Sequence, residues 1–313
     1  MNNNGLIVRP DKNLFMLYAL LDTLGLMRGD MDGNPIRKAT HDHFIGYEGL
    51  DTKKLKKTHH CHYVTYVLTR QERQVFLPKP RLLLSEEMKD MARRGGIIEE
   101  HLIRFQRNTD FKEFYRKIRP HYKFYCQHID AITREKRIEG VLDKAWEMKR
   151  KIPMVVIPIP LEAGGIGPSM NGVSYAVIGF CHYDSNALHL IAHEGSHTRA
   201  KIVLAPYLDE IRSNSHLYDH LKGVAAYSKD YITWPICFEE HFIRALQEAV
   251  INPELIPEFD VQERLQREVN KCGMVLIYDF YEEILKHKAK SRRGNLGDVV
   301  PKILKRLNDK KRL

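Results

Sequence analysis

Two strand-length apolar runs, "PMVVIPIP" at 153–160 and "GVSYAVIGF" at 172–180, stand in a chain whose hydrophobic pattern is helical elsewhere. Their β-branched residues and their proline and glycine borders fit short strands. The intervening "LEAGGIGPSMN" is too rich in glycine and proline for either element and implies a loop or hairpin. A small sheet set among helices follows, which is the pattern of an α+β fold, mostly α-helical.

The flanking helices carry their own start signals. Pro10 and Asp11 precede "KNLFMLYALLDTLGL", an apolar run with a capping residue in front. Residues 51–70 read as another helix, and "SEEMKDMARRGGIIEEHLIRFQRN" begins with Ser85 and early acids but meets Gly95 and Gly96, which should break or bend it. Asp110 and Glu113 form a D-x-x-E box ahead of a helix that Pro120 is expected to kink or end, and 131–150 reads as a further charged helix. After the sheet, helices are expected at about 185–201, 206–222, 234–251, 260–287 and 296–308. This gives a mainly helical part at 1–150, a part at 151–285 with the sheet and two further helices of interest, and a basic tail at 286–313.

The formal net charge of +10 raises the question of a nucleic-acid partner. Eleven Lys or Arg side chains between Lys286 and Leu313 face only Asp298 and Asp309 there, so the rest of the chain is close to neutral. Nucleic acid is therefore expected, if at all, only through the tail. Cys61, Cys126, Cys181, Cys237 and Cys272 are odd in number and scattered, and the N-terminal residues do not read as a signal segment. No stretch reaches the apolar length of a membrane span, so the reading is a cytoplasmic protein with no membrane partner.

The segment "HLIAHEGSHTRA" at 189–200 contains His193-Glu194-Gly195-Ser196-His197. On a helix capped by Asp184 or Ser185, His193 and His197 lie about 40° apart around the axis and about 6 Å apart along it, so both imidazoles can approach one metal ion. Glu194 is rotated by about 100° from His193 and can reach a water on that ion without ligating it. His189 extends the same stripe by one turn. A mid-helix glycine is unfavourable, so Gly195 suggests close packing. A third ligand is expected from "TWPICFEEHFIRALQEAV", where Phe238, Phe242, Ala245 and Ala249 form a core stripe flanked by Glu239 and Glu240. Periodicity does not choose between these two glutamates.

HExxH followed by a glutamate on a second helix resembles the gluzincin branch of the zincin-like metallopeptidases. "EEHFIRA" and "NTDFKEFYRKIRPHYKFY" are similar to stretches of a little-characterised branch of that family, in all over about 100–250. The resemblance implies a zincin-like fold with the small sheet ahead of the HExxH helix, and Zn2+ held by His193, His197 and Glu240. It further implies Glu194 as general base, Arg244 as a supporting or oxyanion-stabilising residue, and a peptide or protein substrate. Glu239 stands where that branch has Asn, and Arg199 where such proteases have an apolar residue. The segment 164–180 would supply the edge along which an extended peptide pairs.

Tyr207, Tyr218, Tyr227, Tyr231, His216, His220 and His241 are further oxyanion candidates that the sequence does not rank. "HHCH" at 59–62 and "HDH" at 41–43 lack the paired spacing of a zinc module. Two other functions compete with the hydrolase: a basic helical nucleic-acid-binding protein with structural histidines, and a zinc-binding scaffold without activity.

Overall fold

The computed structural model describes residues 5–27, 33–47, 55, 60–74, 90, 93–162, 164–170, 172–221, 233–256, 258–290 and 295–310. These fall into two compact units, one from Met1–Glu135 and Pro153–Glu194, the other from Lys136–Ile152 and Gly195–Leu313. Both units are discontinuous in sequence. Their division falls inside one unbroken helix, Asp184–Leu204.

In the first unit, β1 (Leu6–Val8), β2 (Met154–Pro158) and β5 (Val173–Ile178) run parallel. The short β3 (Gly165–Ile166) and β4 (Ser169–Met170) pair antiparallel with β5, making a mixed sheet in an otherwise mostly helical chain. This is the α+β arrangement expected, with β1 added. β2 is buried along its whole length, as a central parallel strand should be. Alternation then decides the faces. Val155 and Ile157 of β2 and Tyr175 and Val177 of β5 join the helical core of this unit.

That core is built by α1 (Lys12–Thr23), α2 (Pro35–Phe44), α3 (His60–Gln74), α4 (Ile98–Asn108) and α5 (Phe111–Glu135). Asp11 caps α1 by accepting from the backbone N–H groups of Asn13 and Leu14, both at 2.9 Å. Phe15 meets Tyr115 and Tyr122 with ring centroids 5.4 Å apart. Pro120 neither ends α5 nor marks a boundary, for the helix runs on to Glu135. The charged helix expected at 131–150 is instead divided by Arg137, whose φ of 49° is left-handed, and only α6 (Ile138–Ala145) follows. Residues 51–54, 56–59 and 85–89 of the expected helices lie outside the described residues.

The second unit contains α6, the C-terminal half of α7 (Asp184–Leu204), α8 (Leu208–Ser213) and α9 (Trp234–Leu246). The last continues through a π-helical turn, Gln247–Ile251, into α10 (Asn252–Leu255). Next come α11 (Val261–Cys272), α12 (Ile277–Lys290) and α13 (Val300–Lys310). Gly273, at φ 70°, ends α11, so the single helix expected over 260–287 is two. The stretch read as a basic tail is folded wherever it is described. Ile303, Leu304 and Leu307 of α13 are buried, and Arg306 donates to Asp279 at 2.7 Å and to Glu283 at 3.1 Å. No helix among the described residues is long and apolar enough to cross a membrane.

Candidate metal centre

His193 and His197 project from successive turns of α7, and Glu240 comes from α9. His197 and Glu240 meet within the second unit, Nε2 to Oε1 at 3.5 Å, and His193 stands one turn before His197 on the same helix. All three are largely removed from solvent, with His197 the most accessible at 18% of its side chain. Two imidazoles and one carboxylate are a donor set suited to zinc, with one coordination position left for water or substrate.

His197 lies between the two adjacent glutamates. Its Nδ1 is 3.0 Å from Glu239 Oε1, and its Nε2 is 3.5 Å from Glu240 Oε1. A carboxylate on Nδ1 fixes that nitrogen as the proton donor and leaves the Nε2 lone pair for a metal, the orientation usual for a ligating histidine. The two glutamates therefore have different geometry: Glu240 faces Nε2 of His197 and Glu239 faces its Nδ1. Periodicity left this choice open, and the resemblance pointed to Glu240.

Arg244, one turn beyond Glu240, places Nε 3.4 Å from Glu240 Oε2 and Nη1 2.8 Å from Glu268 Oε2. It thus bridges two carboxylates, one of them that of Glu240. Glu268 of α11 is a partner that sequence reasoning missed. A buried arginine-flanking acid on a sparse amphipathic helix carries no local signal of its role.

Glu194 is 5% exposed and lies against the sheet edge. A Cβ built on Gly165 of β3 would come within 2.5 Å of Glu194 Oε1 and 2.8 Å of its Cγ. Gly165 is glycine because the carboxylate occupies the space of a side chain. Gly165→Ala is therefore expected to displace the Glu194 carboxylate without removing any member of the histidine–glutamate cluster. If Glu194 acts on substrate, turnover should fall on the order of 10- to 100-fold at unchanged zinc content, since small misplacements of reacting groups are costly. Steady-state kinetics with parallel metal analysis measures both quantities, and unchanged turnover would show that this contact does not position the carboxylate.

Helix α7 is fixed to α6 by buried polar contacts. Arg199, fully buried, donates from Nε to Asp143 Oδ1 at 2.8 Å, from Nη1 to the Gly195 carbonyl at 2.8 Å and from Nη2 to the Ile152 carbonyl at 3.3 Å. Burial pulls its pKa down while Asp143 opposes the shift and holds the charge. Trp146 Nε1 donates to Ser196 Oγ at 3.0 Å, and its ring stacks on Phe242 of α9. The unexpected arginine after HExxH is thus a clamp on the helix backbone. Arg199→Met should cost about 3–5 kcal/mol in denaturant unfolding, because it strands Asp143 beside two carbonyls. A loss under about 1 kcal/mol, the size of an exposed pair, would contradict the clamp.

Among the other candidates, His241, Tyr207, His216, His41 and His43 have partners of their own. His241 is buried with Nδ1 2.8 Å from the Cys237 carbonyl, and burial pulls its pKa down to about 4, which keeps it neutral. Tyr207 donates to Asp298 at 2.9 Å and His216 contacts Asn308 at 2.9 Å. Tyr218 is half-buried on the 3-10 segment Ser215–His220. Tyr227 and Tyr231 and the side chain of His220 lie outside the described residues. In "HDH", His41 meets Asp22 at 3.1 Å, while His43 meets Asp110 at 2.8 Å and stacks on Phe114. In "HHCH", His59 and the side chains of His60 and Cys61 lie outside the described residues, and His62 is half-buried.

His189 lies one turn before His193 on α7. Comparison with known proteins returned no matching family model, no matching curated protein and no matching solved structure.

Proposed function

We propose that this chain is a zinc-dependent hydrolase of the zincin type, and specifically a metallopeptidase. The observation that carries the reading is the arrangement around His197: Nδ1 is held by Glu239 while Nε2 faces Glu240, one turn from His193. Such an outer carboxylate on a histidine is the arrangement that prepares a metal ligand. Zinc bound by His193, His197 and Glu240 would supply Lewis acidity and lower the pKa of water in its open position toward about 7.

The chain's own residues would do the proton work. Glu194 would receive a proton from the attacking water on its carboxylate and deliver it to the departing amine. Gly165 admits that carboxylate to the sheet edge. β3, last in the strand order beyond β5, is where an extended peptide backbone would pair, which supports a peptide rather than a compact substrate. Arg244 would hold Glu240 in place from behind.

The test is metal binding followed by cleavage. Purified protein should carry a zinc equivalent that His193→Ala removes, and the wild type should cleave members of a broad peptide library. Zinc content unaffected by His193→Ala would overturn the metal centre; a zinc-loaded protein that cleaves nothing would overturn the peptidase.

A further inference from the structure

β1 ends the strand order opposite β3, and one of its edges faces no strand among the described residues. Parallel pairing with β2 engages alternate residues of β1: the Gly5 carbonyl accepts from Met154 N at 2.7 Å, and Arg9 N donates to the Val156 carbonyl at 3.0 Å. Ile7 faces β2 in the same way. The N–H and C=O groups of Leu6 and Val8 therefore point outward, and among the described residues nothing meets them. An edge of this kind is a template for another strand. Ile7 is also 50% exposed, a large apolar side chain at the rim of the sheet.

Helix α5 forms a second wall. Between it and β1 runs a groove of about 340 Å3, to which Ile7, Lys123, Gln127, Asp130 and Arg134 contribute. Asp11 N donates to Tyr122 Oη at 3.1 Å, so α5 passes β1 with Lys123 near the C-terminal end of the strand and Arg134 near its N-terminal end. Asp130 is only partly engaged: Oδ2 accepts from Arg134 Nε at 2.8 Å, while Oδ1 meets no donor among the described residues. The cation of Lys123 and the acid of Asp130 thus stand on either side of the exposed Gln127. Phe124, on the same helix, is 74% exposed. All these residues belong to the first unit.

The patch is complementary to itself. A two-fold axis beside Ile7 and Gln127 sets β1 antiparallel to its own copy, so that Leu6 of each chain exchanges backbone hydrogen bonds with the partner's Val8. The same rotation brings Lys123 of each chain toward the partner's Asp130. Three strand residues are too few to hold a dimer, whose partners bury roughly 800 Å2 each, so the two copies of α5 supply the rest of the contact. We propose that β1 and α5 form the interface of a homodimer, closed by antiparallel pairing of the two β1 strands and by Lys123–Asp130 ion pairs across the axis. The edge at β3 stays open, so the inference goes beyond the proposed hydrolysis and does not depend on it.

The experiment is analytical ultracentrifugation of the full-length protein at concentrations up to about 100 μM, where even weak self-association registers. Wild type should sediment as two chains. Val8→Pro should sediment as one, because it removes an outward N–H and leaves the ladder to β2 whole. Lys123→Glu, at an exposed position, sets acid against acid and should weaken the dimer by more than about 10-fold. Adding Asp130→Lys reverses both signs and should recover it. Circular dichroism checks that each variant folds. A monomeric wild type would overturn the interface, and so would a dimer that Val8→Pro and Lys123→Glu both leave intact. A loss in Lys123→Glu that the double exchange does not recover would overturn the ion pair across the axis.

Discussion

Glu194→Gln is expected to leave zinc bound and to lower peptide hydrolysis by roughly 10²- to 10⁴-fold, the range for losing a positioned acid–base group. Gln keeps the length and the hydrogen-bonding oxygen, so the tight fit against Gly165 is preserved. It removes only the capacity to accept the water's proton at neutral pH. His193→Ala should behave differently, losing the cation and the hydrolysis together, because it deletes a ligand. Zinc analysis and single-turnover cleavage on the same preparations separate the two. Cleavage that survives Glu194→Gln would show that another group takes the proton, while a variant that loses zinc would show Glu194 to be part of the coordination shell.

The same comparison divides an enzyme from a metal-binding scaffold. Both have the His193–His197–Glu240 cluster, but only an enzyme needs a carboxylate held near it without ligating. The close approach of Gly165 to Glu194 favours the enzyme, because a scaffold has no reason to exclude a side chain at that position. The nucleic-acid reading has less support. Its strongest feature was the basic C-terminal stretch, where Arg306 and Lys310 are tied to Asp279, Glu282 or Glu283 and α13 packs by its apolar side.

Elements with strong local signals were legible in the sequence. Asp11 announces α1, Gly95 and Gly96 precede α4, and the two apolar runs become β2 and β5. Elements whose stability comes from distant partners were not. β1 is three residues long and exists because Leu6, Ile7 and Val8 pair with Met154, Val155 and Val156. No local pattern encodes such a partner. α2 was overlooked although Asn34 caps it and Pro35 opens it, a signal that could have found it. In α13 the abundance of lysine hid the stripe of Ile303, Leu304 and Leu307.

The site divides the same way. The period of 3.6 residues places His193 and His197 on one face of α7, so their pairing could be read directly. Glu239 and Glu240 are neighbours about 100° apart, and both flank the apolar stripe, so periodicity has no means of choosing. Packing against α7 decides which one meets which nitrogen of His197. Arg199 was noticed only as a departure; its meaning lies in Asp143 and Ile152, remote in sequence.

The distinct geometries of the two adjacent glutamates give the second large effect. Glu240→Ala should weaken zinc binding by more than about 100-fold, since it removes one of three protein ligands. Glu239→Ala should weaken it by about 10- to 100-fold, the usual cost of losing a carboxylate behind a ligating histidine. Glu239→Gln should recover part of that loss, because the amide oxygen still accepts the Nδ1 proton of His197 but carries no charge to raise the ring's basicity. Competition with a chromogenic chelator reads all three affinities. A merely structural Glu239 would give a stability change with zinc affinity intact and no rescue by Gln. A larger loss from Glu239→Ala than from Glu240→Ala would reverse their roles and place the cation on the opposite side of His197.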